Sequence, residues 1–374
     1  MSNFLYWIWL QNALGFGSNK LSEILLRVKS IEEFYHSGLS FWVSLSIFTQ
    51  SEIFRLSESL DSAKKIYEKC VRLGYKIVTY ESEKFPEMLK NIPNPPCVLY
   101  VSGSCSVLLK RCVAVVGSRN ATIYGTQMAY EISKDLAKSG ITVVSGGAFG
   151  IDSSAHKGAI DAKGNTIAVL ACGIDYPYLV KNSSLRENIT SFGAVVSEYP
   201  PGYQVRRFNF PVRNRIISGL SQSTIVIEAR KKSGAIITAN LAAEQGRDVF
   251  VVPVQFENPL SEGINALIED GAKVITCADD ILKENFHVSG ENANTDIKGM
   301  PKKTSINIPE NFRFILDKMG NRKVHIDELR NLTKMPIYKL SVELSKMELK
   351  GFINKFPGKF YKLNAEKFDW LINT

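Results

Sequence analysis

The chain is 374 residues long and 45% hydrophobic, with 46 Lys and Arg against 37 Asp and Glu and a formal net charge of +9. This length allows two to three domains, each with a real core, and the charge favours an anionic partner. Composition speaks against a membrane protein, a disulfide scaffold and a zinc site: no run approaches the ~18–20 apolar residues of a spanning helix, and the six cysteines contain no Cys-x-x-Cys pair.

The cysteines are Cys70, Cys97, Cys105, Cys112, Cys172 and Cys277. Several lie in apolar runs such as Cys112-Val-Ala-Val-Val and read as buried free thiols. Met1-Ser-Asn-Phe-Leu-Tyr-Trp-Ile-Trp-Leu is apolar but short, has no cationic lead and is followed by Gln-Asn. It reads as a core helix and not a signal peptide, so a cytoplasmic protein is expected. Charge is unevenly spread. Residues 1–80 hold nine cations and seven acids, residues 81–299 hold 22 of each, and residues 300–374 hold 15 cations and eight acids.

In chain order, residues 1–74 form a small helical domain. Ala63, Ile66, Cys70, Val71 and Leu73 recur at helical spacing, and Gly74 ends the run. Leu14-Gly15-Phe16-Gly17-Ser18-Asn19-Lys20-Leu21 has two readings. It is a helix–hairpin–helix turn whose amides meet a phosphate, as in a SAM-like or HhH-like domain, or a plain turn between two helices.

Residues 75–285 alternate apolar strands with amphipathic helices. Lys76–Tyr80 and Cys97–Val101 are short strands around a proline-rich connection. Further strands are expected at 112–116, 141–145, 166–171, 193–197, 223–228, 248–254 and 272–276. Helices are expected at 125–139, 152–162, 181–191, 211–220, 234–245 and 262–270. Near-continuous Val, Ile and Ala strands separated by helices predict an α/β fold, a Rossmann-like doubly wound parallel sheet covered on both faces. Residues 286–304 are polar and read as a flexible linker. Residues 305–374 read as a basic winged helix: helices at Phe312–Met319, Ile326–Leu332 and Pro336–Lys350, then a hairpin over Gly351–Leu363 turning at Pro357-Gly358. Such domains bind nucleic acid or protein, and charge does not separate the two.

Four turns carry the chemistry. The first, Val116-Gly117-Ser118-Arg119-Asn120, is not Gly-x-Gly-x-x-Gly and lacks a following acid at a ribose-binding position. A dinucleotide is disfavoured and no cofactor is expected. Arg119 follows a strand end, where ligands of such sheets bind, or else it caps a helix. The second turn, Ser145-Gly146-Gly147-Ala148-Phe149-Gly150-Ile151-Asp152, offers amides at a helix start, and a phosphate is the natural tenant. Asp152 is expected to cap that helix. His156 is expected to be structural, since no nucleophile or carboxylate pairs with it in sequence.

The third turn is Arg206-Arg207-Phe208-Asn209-Phe210-Pro211-Val212-Arg213-Asn214-Arg215, four guanidiniums and two rings in ten residues. Guanidinium forks match phosphates and rings match bases, which suits a nucleic-acid strand. The fourth, Glu228-Ala-Arg230-Lys231-Lys232-Ser233-Gly234, extends the cationic rim or is a solvated loop.

These turns resemble the DNA-processing protein A family (DprA, also called Smf). The likeness runs from Tyr75 to about Asn285. It rests on Gly-Ser-Arg…Tyr-Gly, Ser-Gly-Gly-Ala-x-Gly-Ile-Asp…Ala-His, Cys172-Gly-Ile-Asp175, Ser197-Glu-Tyr-Pro-Pro-Gly202, Phe-Pro-x-Arg-Asn-Arg-Ile-Ile and Ser-Gly-Ala-x-x-Thr-Ala. Ala171 and Val254 stand where the family usually has glycine.

The resemblance implies a protein that binds and protects single-stranded DNA, dimerises through the Rossmann-like domain and loads RecA recombinase during natural transformation. It implies Arg119, Arg207, Phe210, Arg213 and Arg215 along the strand groove, with Gly117, Ser118, Gly146 and Gly147 presenting backbone to phosphate. Lys231, Lys232 and Arg247 are further contacts. Ile264, Leu267 and Ile268 are a guess for the dimer interface, and core packing explains them equally. Two alternatives are kept. One is a phosphoribohydrolase of the lysine-decarboxylase-like type, although the catalytic Glu of its Pro-Gly-Gly-x-Gly-Thr-x-x-Glu motif has no counterpart in either glycine turn here. The other is a winged-helix regulator.

Overall fold

The computed structural model describes residues 3–177, 183–255, 258–286, 310–320, 322–349, 352–356 and 358–363. It divides into two compact units, Met1–Glu291 and Asn292–Thr374.

The first unit opens with five helices: α1 (Phe4–Leu14), α2 (Leu21–Leu25), α3 (Ile31–Ser44), α4 (Gln50–Leu56) and α5 (Asp61–Arg72). The tryptophan-rich α1 is buried almost all round, which makes it the axis of this bundle. Two of its neighbours, α3 and α4, start on side-chain caps. The Ser30 hydroxyl accepts from the Glu33 amide at 3.1 Å, and Thr49 with Glu52 completes a capping box at α4. The turn after α1 is used for packing. Phe16 sits 4.4 Å from Tyr199 and 5.0 Å from Tyr203 between ring centroids, and Gly17 lies against Val212. This favours the plain-turn reading over a phosphate-binding hairpin.

The sheet domain follows: β1 (Lys76–Thr79), α6 (Glu87–Lys90), β2 (Val98–Gly103), β3 (Cys112–Gly117), α7 (Ile123–Lys138), β4 (Thr142–Ser145), α8 (Ile151–Asp161), β5 (Thr166–Leu170), α9 (Ser183–Phe192) and β6 (Ala194–Ser197). Then come α10 (Asn209–Gly219), β7 (Ser223–Ile227), α11 (Gly234–Glu244), β8 (Asp248–Val251), α12 (Ser261–Glu269), β9 (Lys273–Val274) and α13 (Ala278–Asn285). Strand order is β1-β2-β6-β5-β4-β3-β7-β8-β9. β6 through β9 pair in parallel, and β1 and β2 add an antiparallel edge. Alternate residues of β3 serve opposite layers. Ala114 and Val116 join the core under α10, α11 and α12, while Val113 and Val115 join the core under α7, α8 and α13.

Several expectations need adjustment. β8 ends at Val251 and not 254, because Pro253 has no amide to continue a ladder. Helix α13 was not among the expected elements. The Asp280 carboxylate accepts from the amides of Thr276 (2.9 Å) and Cys277 (3.3 Å) and starts it, and Ile281 and Leu282 dock in the core. Phe286, placed in the linker by sequence, is buried with Arg111 over its ring. The remainder of that linker, 287–304, lies outside the described residues. Cys277 is exposed, unlike the other five cysteines. Ile264 and Leu267 are buried core residues and cannot form a surface, because they close α12 onto the sheet. Ile268 is 39% exposed.

The second unit holds α14 (Glu310–Met319), β10 (Val324–His325), α15 (Ile326–Thr333), α16 (Ile337–Leu349), β11 (Ile353–Phe356) and β12 (Phe360–Leu363). Its sheet order is β10-β12-β11, one strand more than the expected hairpin. Phe312, Ile315, Leu329, Leu340 and Leu344 build its core. Pro357 of the expected turn lies outside the described residues.

Candidate nucleic-acid interface

The parallel sheet winds in opposite directions from β3, with β4 on one side and β7 on the other. The carboxyl ends of β3 and β7 therefore open at a topological switch point, the usual ligand crevice of such sheets. Gly117 ends β3 so close to β7 that a Cβ there would meet the Ile227 carbonyl at 1.9 Å. The Ser118 amide then donates to the Glu228 carbonyl at 2.8 Å.

Glu228, which sequence reading passed over, is the anchor of this turn. It is fully buried with φ 53°, a conformation that costs a non-glycine residue. Its carboxylate accepts from the Thr122 amide at 2.8 Å and from the Thr122 hydroxyl. Thr122 in turn caps α7 through the Gly125 amide at 3.0 Å. Gly125 must be glycine, since a Cβ would lie 2.4 Å from the Glu228 carboxyl. The signal available in sequence was an acid placed directly after the apolar run Ser223–Ile227.

The crevice is a cleft of about 580 Å³. Arg119, Arg230 and Lys232 are exposed on its lining, and Asp152 is the sole carboxylate among the described lining residues. Phe210, half-buried, has the Arg119 guanidinium 5.0 Å from its ring centroid and that of Arg213 at 6.0 Å. Cations around a ring combine a phosphate contact with a flat apolar face. Beyond the cleft lining, Arg206 and Arg207 are exposed, with Arg206 over the rings of Tyr203 and Phe208. Phe208 is 60% exposed.

Gly117, Ser118, Arg119, Phe210, Arg213 and Lys232 thus meet at one cleft. Arg207 and Lys231 are exposed but do not line it. Three expectations change. Arg213 is buried and donates through Nη1 to the Val169 carbonyl at 2.6 Å, so it forms floor and not rim. Arg215 leaves the groove altogether. It is buried against Glu198, with Nη2 2.7 Å from Oε1. Arg247 precedes β8 at the amino-terminal edge of the sheet, opposite the cleft, and donates to the Met88 carbonyl at 3.1 Å.

The glycine turn also differs. The Gly146 and Ala148 amides donate to Asp152 Oδ2 at 3.1 and 3.2 Å. The anion in that nest is the protein's own carboxylate, so Gly146 has no amide left for phosphate. Asp152 caps the preceding turn, not the start of its own helix. Burial raises its pKa above the ordinary Asp value, opposed chiefly by the nearby Arg213 charge. Gly147 holds φ 65°, which favours glycine. His156 is wholly buried with Nδ1 2.7 Å from the Thr166 hydroxyl, and burial pushes its pKa down to about 3. It is structural.

Residues 76–286 match the family described as DNA recombination-mediator protein A, and residues 309–359 match the DprA winged helix domain. The chain is 42% identical over 212 residues to the DNA processing protein DprA of Bacillus subtilis, covering 56% of this chain and 71% of that one. It is similar to the X-ray structure of DNA processing protein A from Streptococcus pneumoniae, with a TM-score of 0.65 and 32% identity over 76% of this chain and 98% of the other. A second similar structure is DNA processing protein A from Helicobacter pylori, described for its single-stranded DNA binding mode. Its TM-score is 0.52 at 30% identity, over 57% of this chain and 96% of that one.

Proposed function

The chain belongs to the DNA recombination-mediator protein A family, and from that premise we propose that its cleft binds single-stranded DNA in DNA processing and recombination. One observation carries this reading. The switch-point cleft joins exposed Arg119, Arg230 and Lys232 to the Phe210 ring, with a single, internally satisfied carboxylate among its described lining. Exposed cations take backbone phosphates at any sequence, and a ring takes any base. Gly117 and Ser118 line the cleft beside Arg119, and Arg207 and Lys231 extend the cationic surface. The Helicobacter relative, described for single-stranded DNA binding, supports the same use of this domain.

The protein acts by binding and not by catalysis. Asp152 is committed to two amides, and His156 is buried away from the cleft lining. The reading extends to protection of the strand, loading of RecA during natural transformation, and a homodimer formed through the sheet domain in the cytoplasm. Of the apolar residues of α12 considered for that interface, Ile268 is the one on the surface. Among the described residues, no helix is long and apolar enough to cross a membrane.

A salt titration with the full chain tests the reading. Affinity for oligothymidine falls with a log–log slope of about −0.7 per phosphate neutralised. Binding that ignores salt, or a preference for AMP over the strand, would overturn it.

A further inference from the structure

The glycine turn between β4 and α8 has the backbone of a small-phosphate site, and the chain itself closes it. Gly147 (φ 65°) and Gly150 (φ 72°) take left-handed conformations, and the turn runs from the carboxyl end of β4 into the 11-residue α8. Successive amides turned inward at a helix start make a concavity that holds anions. Here the anion is Asp152 Oδ2, which accepts from the Gly146 and Ala148 amides at 3.1 and 3.2 Å. A cation crowds the same point. A Cβ on Gly146 would lie 2.8 Å from Asp152 Oδ2 and 2.1 Å from Arg213 Nη1, which the Val169 carbonyl holds in place. Asp152 is 8% exposed and lines the cleft, so its carboxylate lies between the nest and the cleft. Without that carboxylate, two amides and the Arg213 charge would open onto about 580 Å³, room for a nucleoside monophosphate.

A strand and a free nucleotide offer this cleft the same groups and differ in their number. A strand brings several phosphates and bases, so it engages Arg119, Arg230, Lys232 and the Phe210 ring together. A free nucleotide brings one of each, and to be held it needs one strong phosphate site, which the open nest would supply. We propose that Asp152 is a specificity-determining residue: by filling the nest it denies the cleft to nucleoside monophosphates and leaves it to the polymer. This inference rests on the reading of the cleft as the strand site. It gives the one carboxylate among the described lining residues a task beyond holding the turn.

Two measurements on the full chain test this. In the first, AMP binding is measured directly by calorimetry and by its displacement of labelled oligothymidine. Asp152→Ala is expected to bind AMP at least about tenfold more tightly than the wild type, the worth of hydrogen bonds from the opened amides to a charged phosphate. Asp152→Asn keeps a side-chain oxygen for both amides and is expected to stay near the wild type. In the second, thermal unfolding is followed with and without inorganic phosphate. Phosphate is expected to raise the Tm of the Ala variant, because the ion refills the nest, and to leave the wild type unmoved. Should the Ala variant not fold, Asp152→Ser, whose shorter side chain leaves the nest open, takes its place. A folded Ala or Ser variant with no gain in AMP affinity would overturn the proposal. So would a wild type that binds AMP as tightly as that variant, or an Asn variant that gains as much. AMP that binds the Ala variant without displacing oligothymidine would uphold the closed nest and count against the cleft as the strand site.

Discussion

Arg215 donates from Nη2 to Glu198 Oε1 at 2.7 Å, and the two side chains are 2% and 1% exposed. The pair joins α10 to the segment after β6, and Gln11 of α1 reaches the same carboxylate oxygen at 3.5 Å. A guanidinium that sequence assigns to DNA is thus part of the seam between the helical bundle and the sheet.

Arg215→Met leaves Glu198 buried and unpaired, which costs about 3–5 kcal/mol. Urea unfolding is expected to show that loss, with strand affinity of the folded protein unchanged. Adding Glu198→Met recovers most of the stability, since an apolar pair can replace a buried ion pair. Weakened strand binding at full stability would instead place Arg215 in the groove.

Arg119 is the converse case. It is exposed, so Arg119→Ala is expected to change stability by less than about 0.5 kcal/mol. The same change lowers the single-strand salt slope by about 0.7. Phe210→Leu keeps an apolar side chain but removes the stacking face, for a loss of roughly 1–3 kcal/mol in strand affinity with little change in slope. Anisotropy titrations at several salt concentrations separate the two effects.

Gly146→Ala tests the internal anion nest. Its Cβ would lie 2.1 Å from Arg213 Nη1 and 2.8 Å from Asp152 Oδ2, and Arg213 is tied to the Val169 carbonyl. The overpacked turn is expected to lose about 1–3 kcal/mol or more in thermal or urea unfolding. Strand binding falls only as far as the cleft floor shifts. A variant of wild-type stability with lost binding would show that the Gly146 amide serves phosphate directly.

His156 makes the fold acid-sensitive. Its folded-state pKa is about 3 against an ordinary 6.5. Between those values the unfolded chain binds the proton and the folded chain does not. Stability is therefore complete above about pH 6.5 and declines as pH falls toward 3, by at most ~1.4 kcal/mol per pH unit from this group. His156→Gln removes that term. The stability gap between wild type and variant is expected to narrow by about 2 kcal/mol from pH 7 to pH 5, measured by urea midpoints. A constant gap would place the titration elsewhere.

Local pattern made much of this fold legible. Val113 and Val115 alternate with Ala114 and Val116, as a strand buried on both faces requires, and the six expected helices of the sheet domain lie within two residues of α7 to α12. Helix α13 was missed because Ala278-Asp-Asp-Ile-Leu-Lys-Glu-Asn carries too few apolar residues for a clear period. Glu228 was missed because its left-handed backbone and its hold on Thr122, 106 residues away in the chain, leave no local trace.

Sequence by itself determined the α/β class, the strand ends that meet at the cleft, and the presence there of Arg119 and Phe210. Those features follow from periodicity and from turns, which are local. Only tertiary structure decided which arginines meet solvent. Arg213 and Arg215 stand two residues apart, about 200° around one helix. Both are buried, because one meets the Val169 carbonyl 44 residues away and the other meets Glu198 17 residues away. Whether a charge serves a ligand or the fold depends on what long-range packing places opposite it. In the same way, Asp152 took the anion site that the glycines alone would have left for phosphate.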